Sequence, residues 1–181
     1  AYYIIGEDPA QSDPDLPEIR ETLSKIDFVV IQDIFFNKTS EYADVIFPAT
    51  AWGEHEAVYS ACDRRFQRVH KLVDPDPNVK TDWEILCLVA TAMGYPMHYN
   101  NTEEIWDEMI SLSPKYYGAT YEKLEANYGI QWPCYTRDPE DKGTKFLHEG
   151  ATFNKPEGKG HFYFFPFTPV KEKETEEFPL S

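Results

Sequence analysis

The chain has 181 residues, 41% of them hydrophobic, with 12 Phe, 12 Tyr and 4 Trp. That is enough apolar surface for a packed core of about one ordinary domain and excludes disorder along the whole length. Its 32 Asp and Glu against 17 Lys and Arg leave a formal charge of −15, which repels phosphates at long range and argues against nucleic acid or an anionic membrane as partners.

The three cysteines, Cys62, Cys87 and Cys134, are odd in number and widely spaced. They suit a reducing, cytoplasmic setting and fit neither a disulfide framework nor a zinc or iron–sulfur site. No apolar run approaches the ~20 residues needed to cross a bilayer, and no signal peptide is legible. The chain opens on Ala1-Tyr2-Tyr3-Ile4-Ile5 and stops on Phe178-Pro179-Leu180-Ser181. Both ends are strand-like where a natural terminus is polar and loose, which reads as a piece of a longer polypeptide.

Taken in order, Tyr2 to Ile5 is a short apolar run closed by Gly6-Glu7-Asp8-Pro9, a buried strand and its loop. Asp15-Leu16-Pro17-Glu18 predicts a helix start with Asp15 as N-cap, and Leu16, Ile19, Leu23 and Ile26 form its apolar face. The strand Phe28 to Ile31 follows at once, giving a βαβ unit with a right-handed crossover. Gln32-Asp33 ends that strand, a loop or short helix runs through Thr39-Ser40-Glu41, and Asp44 to Pro48 is a third strand. Residues 59 to 70 read as an irregular loop with a short strand, broken by Asp63-Arg64-Arg65. Thr81-Asp82-Trp83-Glu84 is a capping box, opening an amphipathic helix that Gly94 and Pro96 end.

Beyond Met97 the character changes. Helices are predicted from Asn101-Thr102 and from Thr120, residues 131 to 160 wrap over a surface, His161 to Phe167 is an aromatic strand, and Lys171 to Glu177 is a charged connector. The fold class is therefore α/β. Residues 1–97 form part of a Rossmann-like parallel-sheet domain with helices on both faces, and residues 98–181 form a mixed helical and irregular extension.

Several residues could carry chemistry. Asp33 sits just past a buried strand, at the sheet edge where open α/β folds hold ligands. A carboxylate there can accept two hydrogen bonds from the N1–H and N2–H₂ edge of guanine, or it can cap the turn that follows. Asp82 at a helix N-terminus admits the same pair of readings. Gly6-Glu7-Asp8 places backbone N–H groups where a pyrophosphate could approach, without the G-x-G-x-x-G fingerprint. His55 lacks a second histidine at the metalloprotease spacing and reads as a polar contact or as surface. Cys62 has Arg64 and Arg65 beside it, yet reads as a buried, inert thiol. Trp83, Trp106 and Trp132 read as packing. No catalytic constellation emerges, and on these grounds alone the chain could be a binding module.

Together, Gly6-Glu7-Asp8-Pro9, Gln32-Asp33-Ile34-Phe35, Ala43-Asp44-Val45-Ile46-Phe47-Pro48, Trp52-Gly53-Glu54-His55-Glu56, Asp63-Arg64-Arg65-Phe66-Gln67-Arg68 and Thr81-Asp82-Trp83 resemble the molybdopterin oxidoreductases. Met93 to Thr102, Tyr117 to Lys123 and Gln131-Trp132-Pro133-Cys134 are similar to the formate dehydrogenase catalytic subunits of that family. The resemblance implies a Rossmann-like domain gripping one of two molybdopterin guanine dinucleotides around molybdenum or tungsten. Asp33 and Asp82 would accept from guanine or ribose, Gln32, Asn37 and His55 would line the same pocket, and Gly6, Glu7 and Asp8 would lie near the diphosphate. The metal ligand and the iron–sulfur cysteines belong to another part of the polypeptide. The implied partners are the rest of the catalytic subunit, electron-transfer subunits and the substrate pair formate and carbon dioxide. A nitrate or arsenate reductase, or a cofactor-free structural relative, stands as the alternative. Asn37 where relatives often carry Thr, and Ala57 where Gly is common, are departures from the family pattern.

Overall fold

The computed structural model describes residues 1–168. The connector expected at Lys171 to Glu177 lies outside them. The chain divides into two units, residues 1–145 and a second beginning at Phe146.

The first unit is mixed α/β. Strands β1 (Tyr2–Ile5), β2 (Val29–Asp33) and β3 (Val45–Pro48) form a parallel sheet in the order β1-β2-β3. Tyr2 is level with Val29, and Val30 with Val45. Side chains alternate across a strand, so Ile4, Val29, Ile31 and Ile46 share one face. They pack with Ala10 of α1 (Pro9–Ser12) and with Ile19 and Leu23 of α2 (Leu16–Leu23). Asp15 sits at the N-cap of α2 with a left-handed backbone and makes no side-chain cap bond. The expected cap is present in position and absent in chemistry.

Asp44 locks the start of the sheet. Its carboxylate accepts the Val29 N–H at 2.7 Å, and its own N–H donates to the Val29 carbonyl at 2.8 Å. At the far end the ladder continues past the strands. Gly6 N–H donates to the Gln32 carbonyl, Ala49 N–H to Asp33, and Thr50 N–H to Lys80. The carboxyl edge thus lines up Gly6, Gln32-Asp33, Ala49-Thr50 and the Lys80-Thr81-Asp82 segment.

That segment opens α3 (Asp82–Ala92). Its Ile85, Leu88 and Val89 share a shallow groove with Phe47 and Pro48, so helical elements meet both faces of the sheet. The helix was expected to be amphipathic, but it is apolar nearly all round. Ile85 and Cys87 are buried while Leu88 and Met93 are exposed.

The region read as an irregular loop with a short strand is a two-stranded antiparallel hairpin. β4 (Ala57–Ser60) pairs with β5 (Arg65–Val69), which also pairs with β6 (Ile130–Gln131). Helices α4 (Thr102–Ser111) and α5 (Tyr121–Ala126) cover this sheet. Their core joins Phe66, Trp106, Ile110, Tyr121, Leu124 and Ile130, with the Phe66 and Trp106 rings edge to face at 4.9 Å. Asn101 and Thr120 cap the two helices by accepting the N–H groups of Glu104 and Lys123. Gly129 ends the α5 segment at φ 104°, pressed so close to the Phe66 carbonyl that a Cβ would sit 2.7 Å from its oxygen.

In the second unit no strand forms at His161 to Phe167 among the described residues, contrary to expectation. The rings of Phe162, Tyr163, Phe164, Phe165 and Phe167 are exposed. An aromatic, β-prone stretch becomes a strand only when another strand takes its N–H and C=O groups.

Candidate functional site

The sequence-predicted residues gather in two groups astride the end of β2, because Gln32 and Asp33 are consecutive and leave the sheet on opposite faces.

On the α3 face lies Gln32, fully buried. Its side-chain oxygen accepts the Tyr3 hydroxyl at 2.6 Å, and its amide donates to the Asp82 carboxylate at 2.6 Å and to the Asp82 carbonyl at 3.3 Å. An ionised carboxylate can only accept, so the amide nitrogen must face Asp82 and the amide oxygen must face Tyr3. Burial, and then the nearby Asp82 charge, raise the Tyr3 pKa above its ordinary value and keep the phenol a donor. Asp82 receives that amide on Oδ1. Its Oδ2 has no hydrogen-bond donor among the described residues.

Asp82 and His55 together line a cavity of about 270 Å³. Trp83, Trp106, Met109 and Tyr121 supply much of its apolar wall, which adds cavity lining to the packing roles expected of the two tryptophans. His55 Nδ1 is 2.9 Å from the Thr50 hydroxyl, and Thr50 is buried at the end of β3. The volume lies just below the ~300–1,000 Å³ of small-molecule sites, suiting a single base rather than a whole dinucleotide.

On the opposite face Asp33 holds its own loop. Its carboxylate accepts from the Ile34 N–H at 2.6 Å and from the Asn37 amide at 2.8 Å, while Asn37 accepts from the Ser40 N–H at 3.0 Å. Asp8 joins the same cluster, taking the Thr39 N–H at 2.9 Å, the Thr39 hydroxyl at 2.6 Å and the Lys38 N–H at 3.3 Å. Burial pushes the Asp8 carboxyl up, but these donors outweigh it and hold it below the ordinary value. Gly6, at φ 63°, has open space where a Cβ would stand. Glu7 is exposed beside it. Asp33 and Asp82 therefore belong to one edge but face different sides of β2.

Sequence reasoning missed Tyr3 and Thr39, whose roles appear only when distant segments pair, and Thr50, which meets His55 five residues on. Cys62, expected to be buried, is exposed in the hairpin turn. Among the described residues no three His, Cys, Asp or Glu are placed to hold a metal ion.

A parallel sheet with acceptor side chains and an aromatic cavity at its carboxyl edge has the layout in which open α/β folds hold ligands. The family profile described as Molybdopterin oxidoreductase matches residues 1–92. The chain belongs to that family. It is 48% identical over 180 residues to formate dehydrogenase H of Escherichia coli, covering 99% of this chain and 25% of that protein. To the F420-dependent formate dehydrogenase 2 subunit alpha of Methanococcus maripaludis it is 39% identical, over 98% of this chain and 26% of that protein. It is 36% identical to the probable oxidoreductase YjgC of Bacillus subtilis, over 95% of this chain and 17% of that protein. The chain spans about a quarter of the length of the first two relatives. No helix among the described residues is long and apolar enough to cross a membrane.

Proposed function

We propose that this chain grips the guanosine end of a molybdopterin guanine dinucleotide within a cytoplasmic formate dehydrogenase catalytic subunit. The observation that carries the reading is Asp82, an acid with one unengaged oxygen on the wall of an aromatic cavity at the sheet edge. The donor set fits a purine. Asp82 accepts from the N1–H and N2–H₂ edge, a charge-assisted pairing, while Trp83 and Tyr121 offer apolar faces to the ring. His55 borders the same space, steadied by Thr50.

Asp33 stands at the end of the second strand of a βαβ unit, where the acidic residue of such folds meets ribose hydroxyls. Asn37 orients it. The loop Gly6-Glu7-Asp8, pinned through Asp8 to Thr39, lies at the first strand's end, where backbone can approach the diphosphate. When bound, the molybdenum or tungsten cofactor supplies the two-electron oxidation of formate to carbon dioxide and a proton, with the electrons passing to partner subunits. This chain's residues position the nucleotide handle. Formate as substrate is supported by the names of the relatives and by the Tyr95 to Thr102 and Gln131 to Cys134 stretches.

The test is made in the full-length protein. Asp82→Ala lowers guanine nucleotide released per polypeptide on acid treatment, and formate-dependent dye reduction falls with it. Full nucleotide content and full activity in that variant would contradict the reading.

A further inference from the structure

We propose that Tyr3 and Gln32 are positioning residues that set the base specificity of the cavity, by orienting the Asp82 carboxylate through a hydrogen-bonded line from β1 through β2 to α3. The proposal rests on the guanosine reading above and names what makes that pocket selective.

Gln32 cannot be a ligand contact. It is fully buried, both hydrogen bonds from its amide nitrogen go to Asp82, and its oxygen is taken by Tyr3. The side chain expected to line the pocket stands behind Asp82, which does line it. What it can do is fix a neighbour. An aspartate in the first turn of a helix has two side-chain torsions and is free to swing toward backbone N–H groups. With Oδ1 held at 2.6 Å by an amide that is held in turn at 2.6 Å by Tyr3, the carboxylate plane is set. Oδ2 and the second lone pair of Oδ1 then remain as two adjacent acceptors.

Guanine presents two adjacent donors, N1–H and N2–H₂. Hypoxanthine keeps only N1–H, and adenine presents an acceptor at N1. A rigid pair of acceptors discriminates between these bases, whereas a rotating one re-aims to suit each. The neutrality of the holder also matters. A lysine or arginine at position 32 would orient Asp82 but pair with its charge, weakening its pull on the base. Glutamine orients it and leaves the charge in place.

The test uses the full-length protein prepared without cofactor, titrated calorimetrically with GDP, IDP and ADP. The wild type is expected to prefer GDP over both. Tyr3→Phe removes one hydroxyl, and Gln32→Met keeps side-chain length without the amide. In each the GDP-to-IDP affinity ratio falls about threefold to tenfold, the equivalent of about one hydrogen bond. Melting temperatures are recorded alongside, because a purely structural role weakens all three nucleotides equally and leaves the ratio unmoved. If Gln32→Met fails to fold, Tyr3→Phe alone carries the test. An unchanged ratio in Tyr3→Phe, with Asp82→Asn abolishing the preference, overturns the positioning role and leaves the guanosine reading standing. A wild type without guanine preference, or an Asp82→Asn variant that keeps it, overturns both.

Discussion

Glu84 accepts the Thr81 N–H at 2.9 Å and the Thr81 hydroxyl at 2.6 Å. Burial raises the Glu84 carboxyl, but the two Thr81 bonds prevail and hold its pKa below the ordinary 4.5. A depressed carboxyl adds stability that is complete above its unfolded pKa and is lost as pH falls through the lower folded value. Glu84→Gln should therefore flatten the acid limb of the stability curve below about pH 4.5 and leave the slope near neutrality unchanged. Urea midpoints measured from pH 3 to pH 7 check this.

Thr39 presents a second case. It is fully buried, donates to Asp8 and accepts the Ala10 N–H at 3.0 Å. Thr39→Val leaves that buried N–H without a partner and should cost about 1–3 kcal/mol, read as a lower denaturant midpoint. The capping box at Thr81 was legible because all its parts lie within four residues. Thr39 was not, since its partners stand about thirty positions away and nothing local marks them.

At the scale of elements, what could be read follows the same rule. The parallel strands announced themselves by continuous apolar runs, and α2 by the spacing of Ile19 and Leu23. The hairpin β4–β5 was hidden for a physical reason. Arg68 shares the inward side of β5 with Phe66, lying 4.2 Å over the Tyr121 ring and pairing with Glu125 at 3.3 Å. An inward arginine breaks the polar–apolar alternation that marks a strand. The turn was masked as well, because Arg64 takes a left-handed φ of 68° usually given to glycine. Its guanidinium is held by the carbonyls of Trp132, Thr144 and Lys145.

Between α4 and α5, Gly118 lies where a Cβ would meet the Thr136 carbonyl and stand 2.6 Å from the Cys134 sulfur. Gly118→Ala should therefore destabilise by about 1–3 kcal/mol through overpacking, measured by chemical denaturation against wild type.

Across the molecule the two sheets build separate cores, one around Ile31 and one around Ile110, with no residue in common. Ile31→Val and Ile110→Val should each cost about 0.5–1.5 kcal/mol. Their double variant should match the sum within about 0.5 kcal/mol, and a larger departure would show the cores to be coupled. The candidate cavity draws on both halves, taking Asp82 and Trp83 from α3 and Trp106 and Tyr121 from the antiparallel half. The sequence could point to Asp82 by the family motif, but only the fold shows which aromatic rings meet it. Local pattern carries no record of the pairing that brings residue 121 beside residue 82.

The most direct measurement is a crystal structure of the full-length protein loaded with its cofactor. The expected result is a guanine whose N1 and N2 lie about 2.7–3.1 Å from the Asp82 carboxylate, with Gln32 still bonded to Tyr3 and Asp82. A guanine seated away from Asp82, with the cavity beside Trp106 and Tyr121 filled by other side chains, would contradict it.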